Sequence, residues 1–211
     1  MSPVSGACFY FGTFNPIHSG HLMVAQSALT QFGTQFGFER VTFIPAGNPP
    51  HRHQEPDMLD ASLRLKMVRL ATADNPAFAV SDIELHRPGK SYTVDTLHAL
   101  IQQYDLRQPV PFIIGADALA QLATWHQPEQ LIERVHFLQA PRPGFDFVRQ
   151  VTLHSGKTLS LNTSSIQMPP MAISSSWIRQ SLASNPKGPQ GLRYFLPPSV
   201  DLFIQWNGLY S

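Results

Sequence analysis

Charge is scarce in this chain of 211 residues, where Asp, Glu, Lys and Arg together make up 14%, against about 25% in a typical globular domain. The 15 basic and 14 acidic side chains nearly cancel, leaving a formal +1. Non-specific nucleic-acid binding needs a concentrated basic face, so no nucleic-acid partner is expected and any anion site must be built locally. Cys8 is the one cysteine, which excludes an internal disulfide and fits a reducing compartment. No apolar run approaches the ~18 residues of a membrane span, and residues 1–15 lack a basic leader. No membrane contact and a cytoplasmic address are therefore expected. Nor does the first strand-to-helix turn carry the G-x-G-x-x-G of dinucleotide-binding oxidoreductases.

What the chain does have is 43% hydrophobic residues, enough for a core, and aromatics spread along its length, which argues against disorder. Short apolar runs alternate with segments of 3.6-residue period, the pattern of a parallel sheet with crossover helices. Strands are expected at 7–11, 41–44, 110–114 and 135–138, with an extended run at 78–85. Helices are expected at 19–31, at 60–74 with Leu63, Met67, Leu70 and Ala71 inward, and from Thr93 onward. Others should start at Pro128 and cover about 175–182 and 200–206, with Gly208 as a C-cap. Residues 46–59 read as a loop and 140–160 carry no clear pattern. The expected fold is α/β, a Rossmann-like open parallel sheet with helices on both faces. It forms a single domain, 1–211, with a small C-terminal helical part from about 172.

The segment F-G-T-F-N-P-I-H-S-G-H at 11–21 joins the first strand to the first helix. Open parallel sheets bind ligands at the carboxyl ends of their strands, beside such a loop. Gly12 and Thr13 offer backbone N–H groups, and the helix N-terminus adds about half a positive charge. His18 and His21 are three residues apart and project from one side of the first turn. Gly20 leaves space between them. An arbitrary H-x-x-H is more often two exposed histidines, and a metal pair would need a third protein ligand. The flanking G-T-F-N-P and the intervening glycine turn the balance towards a phosphate site.

Near the other end stands I-S-S-S-W-I-R at 173–179. Ser174 or Ser175 suits an N-cap, and a capped helix N-terminus with Arg179 one turn on can hold an anion. Alone this is a capped surface helix. Paired with the first loop, it is much more specific.

The pattern G-T-F-x-P-x-H-x-G-H resembles the signature of the nucleotidylyltransferase superfamily, and I-S-S-S-W-I-R resembles its second phosphate element, I-S-S-T-x-I-R. Asn15 stands where many relatives have Asp. Four further segments, I-P-A-G-N-P-P-H-R at 44–52, S-Y-T-V-D-T-L at 91–97, F-I-I-G-A-D at 112–117 and the pair Thr124–Trp125, are similar in order and spacing to bacterial nicotinate-nucleotide adenylyltransferases. The resemblance covers nearly the whole chain.

It implies an enzyme of NAD biosynthesis that joins ATP and nicotinate mononucleotide into nicotinate adenine dinucleotide and pyrophosphate. His18, His21 and Arg179 would be catalytic. Gly12, Thr13, Phe14, Gly115, Asp117, Ser174, Ser175 and Ser176 would join those three in holding ATP. Nicotinate mononucleotide would fall to Asn48, Arg52, Tyr92, Thr93, Trp125 and Arg142, with Trp125 stacking on the pyridine ring. Mg²⁺ would be bound mainly through ATP phosphates, with no protein metal site. Nicotinamide mononucleotide or phosphopantetheine as acceptor, and a non-catalytic nucleotide sensor, stay open as alternatives, as does homo-oligomerisation.

Overall fold

The computed structural model describes residues 6–50, 57–184 and 192–210. Their main sheet has six parallel strands, β1 (Cys8–Gly12), β2 (Val41–Pro45), β3 (Phe78–Val80), β4 (Val110–Gly115), β5 (Val135–Ala140) and β8 (Thr163–Ser165), in the order β3-β2-β1-β4-β5-β8. A short antiparallel pair, β6 (Gln150–Thr152) and β7 (Thr158–Ser160), lies between β5 and β8 in the chain. The crossovers are α1 (Ser19–Phe36), α2 (Ala61–Thr72), α3 (Thr93–Tyr104), α4 (Ala116–Leu119) and α5 (Pro128–Arg134), followed by α6 (Ser175–Ser184) and α7 (Pro198–Trp206).

Strand residues alternate between faces, and the core divides accordingly. Cys8 and Tyr10 of β1, Ile113 of β4 and Leu138 of β5 pack in one cluster with α1, α2, α6 and α7. Phe9, Phe112 and Phe137 face the other way, into a cluster with α3 and α5. Helices therefore cover both faces, as the sequence pattern implied. None of the described helices is long and apolar enough to cross a membrane.

Several boundaries differ from expectation for local reasons. Helix α1 runs five residues past 31 and stops where Gly37 adopts φ +69, a left-handed conformation that glycine takes without steric cost. Helix α2 is capped by the Asp60 carboxylate, which accepts from Ser62 N at 2.7 Å, and its buried stripe is Arg64, Leu65, Met67, Val68, Ala71 and Thr72. Leu63 and Leu70, expected inward, are only half-buried, because the arginine occupies the inward position. The extended run at 78–85 is a strand only to Val80, since beyond it the chain turns to bring Glu84 under the sheet's carboxyl end.

Strand order reverses between β1 and β4, and their carboxyl ends diverge there. This is the switch point at which α/β sheets bind ligands.

Candidate active site

A cleft of roughly 440 Å³ opens at that point. Its floor is the β1–α1 loop, its walls are the loops after β2, β4 and β5, and the segment leading into α6 closes one side.

The first loop is held by α6. Ser175 Oγ donates to Pro16 O at 2.9 Å and Arg179 Nη1 donates to Asn15 O at 2.9 Å. Arg179 Nε is also paired with the Asp57 carboxylate. The two phosphate elements, 159 residues apart at the Ser175–Pro16 contact, are thus in direct contact. Asn15 itself is buried: its side-chain Nδ2 donates to Asp57 O at 3.0 Å, while Oδ1 accepts from Tyr210 Oη at 2.7 Å and Leu59 N at 3.3 Å. That set needs one donor and one acceptor on the same side chain, which an amide offers and a carboxylate does not.

His18 caps α1 in extended geometry, and its backbone N–H donates to Nδ1 of His21 at 3.2 Å. The two imidazoles stack with centroids 3.7 Å apart. His18 is 2% exposed, and neither of its ring nitrogens has a hydrogen-bond partner among the described residues. Buried polar atoms in folded proteins are nearly always satisfied, so an unsatisfied pair lining a cleft marks a place where a ligand supplies the partner. A Cβ on Gly20 would approach His18 Nδ1 at 3.0 Å, so the glycine gives the ring room.

Desolvation, reinforced by the Arg142 cation, lowers the His18 pKa from 6.5 to about 3. The His21 pKa falls well below its usual value through burial, then the neighbouring His18 and Arg142. Both rings are therefore neutral donors at neutral pH. The unfolded chain binds protons below about pH 6.5 where the folded protein does not, so stability is full above that pH and lost as pH falls. The slope is up to about 1.4 kcal/mol per pH unit for each histidine. Urea midpoints should decline between pH 6.5 and 4.5, less steeply in His18→Gln, and identical slopes would contradict the burial of a neutral imidazole.

The remaining sequence-predicted residues divide cleanly. Gly12, Thr13 and Phe14, Gly115 and Asp117, and Ser174 to Ser176 all line the cleft. Ser174 Oγ accepts from Trp177 N at 3.1 Å and so caps α6. Asp117 lies in the first turn of α4, with Gly115 at the cap and Arg142 Nε 3.7 Å from its carboxylate. Arg142 also donates to Ile173 O at 2.7 Å, tying the loop after β5 to the approach of α6.

Tyr92, Thr93 and Trp125 line the opposite end of the cleft, Tyr92 and Thr93 at the N-terminus of α3. His126 stacks on Tyr92 with centroids 4.2 Å apart. Two expectations are not brought to the cleft. Asn48 is exposed outside its lining, with Nδ2 donating to Gly89 O at 3.3 Å. Arg179 lies behind the first loop rather than on the cleft surface. Arg52 lies outside the described residues.

Sequence reasoning assigned no role to Glu84 or Arg64, and quoted Ser91 only as the start of the segment at 91–97. Glu84 is 3% exposed and lines the cleft, and burial holds its carboxyl above the usual range. Ser91 Oγ accepts from Asn48 N at 2.9 Å, fixing the loop after β2. Glu84 is one of two carboxylates in the extended run at 78–85, and Arg64 adds nothing to the apolar period of its helix, so neither stood out.

A family model described as cytidylyltransferase-like matches residues 9–181, and the chain belongs to that family. A protein of Synechococcus sp. (strain JA-2-3B'a(2-13)), named "Probable nicotinate-nucleotide adenylyltransferase", is 40% identical over 199 residues, covering 94% of each chain. One of the same name from Moorella thermoacetica is 39% identical over 205 residues, covering 94% of this chain and 88% of its own. Within the broader family, then, the chain groups with the nicotinate-nucleotide adenylyltransferases. The fold is shared with Plasmodium falciparum nicotinic acid mononucleotide adenylyltransferase complexed with NaAD, at a TM-score of 0.76 and 17% identity over 98% of this chain and 97% of that one.

Proposed function

We propose that the protein transfers the adenylyl group of ATP to nicotinate mononucleotide, forming nicotinate adenine dinucleotide and pyrophosphate. The observation that carries this reading is the stacked His18–His21 pair, with the buried His18 nitrogens unpartnered among the described residues, set against the serine turn of α6 in a single cleft. The relatives' shared name supports the choice of acceptor.

A phosphate oxygen of the mononucleotide attacks the α-phosphorus of ATP. The new P–O bond forms as the bond from the α-phosphorus to the bridging oxygen breaks, and pyrophosphate leaves with that electron pair. A phosphate monoester with a second pKa near 6 is already mostly ionised at pH 7, so no general base is required. The chain contributes alignment and charge stabilisation. His18 and His21 donate to the transferring phosphoryl oxygens, while the N-terminus of α6 with Ser174 to Ser176 receives the outer phosphates. Arg179 acts from behind, holding the loop that carries the histidines.

Mg²⁺ takes oxygen ligands and keeps several waters. Among the described cleft carboxylates, Glu84 is engaged by Gly47 N and Thr96 Oγ1, and Asp117 faces Arg142. The cation would therefore be carried by the triphosphate, and the chemistry it would supply there is neutralisation of charge on the pyrophosphate. A cytoplasmic setting fits the single thiol of Cys8, buried in the core.

At the other end, Trp125 stacks on the pyridine ring, and the N-terminus of α3 at Tyr92 and Thr93 receives its carboxylate. Stacking on an aromatic side chain is worth about 1–3 kcal/mol, so Trp125→Ala should raise KM for nicotinate mononucleotide about tenfold and leave KM for ATP unchanged. Equal rises in both would remove the stacking role.

The test is pyrophosphate release from ATP and Mg²⁺ with nicotinate mononucleotide, nicotinamide mononucleotide or phosphopantetheine in turn. Fastest turnover with the first is expected. Turnover with phosphopantetheine alone would overturn the acceptor, and none with any acceptor would leave a nucleotide sensor.

A further inference from the structure

The last paired residues of β1 and β2 are Gly12 and Pro45, and one more bond, Ala46 N to Gly12 O at 2.9 Å, continues the ladder. Beyond it the two chains splay apart. The first becomes the loop bearing His18, and the second becomes the loop whose Ala46, Pro49 and Pro50 line the cleft. Splayed backbone leaves carbonyls without ladder partners, and buried carbonyls need partners from elsewhere.

Arg64 of α2 supplies them. It is 1% exposed. Its Nη1 donates to Thr13 O at 2.7 Å, its Nη2 to Gly47 O at 3.1 Å and its Nε to Leu59 O at 3.0 Å. The planar fork therefore bridges the two loops at the first residue after each has left the sheet. On the other side of the same residue, Gly47 N donates to Glu84 Oε2 at 3.3 Å, and Glu84 Oε1 accepts from Thr96 Oγ1 of α3 at 2.8 Å. A Cβ at Gly47 would lie 2.3 Å from Glu84 O, so only glycine lets the loop sit this close.

A guanidinium buried this fully carries a desolvation cost that a well-packed apolar side chain would avoid. Sheet and core packing on α2 are already supplied by Leu65, Met67 and Val68. The arginine is used where its fork geometry matters, spanning two carbonyls on separate loops.

We propose that Arg64, with Glu84 holding the other side of Gly47, is a positioning residue that sets the spacing of the two substrate loops for in-line transfer. The inference rests on the adenylyl-transfer reading. Arg64 touches neither substrate and acts through Thr13 and Gly47. Its loss misaligns the reacting groups without removing a binding contact, so turnover falls while affinities hold. Misplacement by about 1 Å from a remote change can cost as much as 10²-fold in rate.

The test is steady-state pyrophosphate release by wild type, Arg64→Lys and Glu84→Gln, well below each Tm. A lysine ammonium cannot span both carbonyls. Arg64→Lys should lower kcat about tenfold or more with KM for ATP and for nicotinate mononucleotide within about threefold of wild type. Glu84→Gln should shift the same parameter by less. Unchanged kcat in both variants, or a rise in one KM alone, would overturn the clamp. Should Arg64→Lys not fold, Glu84→Gln decides on the same criterion. Wild type without turnover would instead overturn the transfer reading, and the clamp's catalytic role with it.

Discussion

Replacing His18 by alanine is expected to lower kcat by about 10²–10³-fold with the fold intact, the scale measured for loss of one preorganised donor at a developing charge. The expectation follows from what the imidazole lacks. Its nitrogens are buried and unpartnered among the described residues, so truncation breaks no protein hydrogen bond from the side chain. What would disappear is the donor that the proposed mechanism assigns to the phosphoryl oxygens. With burial holding the His18 pKa near 3, the ring is neutral in the free protein. The arriving phosphates favour its charged form, so the donor strengthens as negative charge collects on the transferring group. A circular dichroism spectrum and Tm near wild type, together with the loss in kcat, would fit. A near-normal kcat would remove His18 from catalysis.

Arg179→Ala carries the second large effect, about 10²-fold in kcat/KM for ATP. A hydrogen bond to a charged group contributes about 1.5–3 kcal/mol, and here the bond is to Asn15 O, in the loop that bears the histidines. Because the guanidinium is buried behind that loop and paired with Asp57, its removal should also lower Tm. That combination separates two roles. An arginine contacting phosphate directly would change ATP kinetics and leave thermal stability near wild type. One that holds the loop changes both, and an unchanged kcat/KM would reject any role in ATP use. Asp57 is half-exposed on its outer side, so Asp57→Asn should show the same pattern at smaller amplitude.

Much of this was legible in the residues. Strands β1, β2, β4 and β5 are dense apolar runs because helices cover both faces of the sheet, which is what a buried parallel strand requires. The histidine loop was legible through its flanking G-T-F-N-P and Gly20. The serine–arginine turn was legible only beside it, since alone it reads as a capped surface helix and the two together resemble one superfamily's phosphate elements. Arg64 was hidden for a different reason. Periodicity assigns hydrophobic residues to the inward stripe, and a buried arginine contributes to no apolar period, so Leu63 and Leu70 were placed inward in its stead. Glu84 escaped for the same reason. Strands β6 to β8 are three residues each, too short for alternation to register. The Arg179 bond to Asn15 O was not legible because spacing fixes which helix face carries a side chain, whereas this partner comes from the far end of the chain.

Everything depends on one triphosphate lying between the imidazole pair and the N-terminus of α6. A crystal structure with a non-hydrolysable ATP analogue and Mg²⁺ measures that placement directly. The expected result has a ring nitrogen of His18 or His21 about 2.7–3.2 Å from an α-phosphate oxygen, with the outer phosphates against Ser174 to Ser176. An analogue bound with its phosphates turned away from both histidines, or outside this cleft, would contradict it.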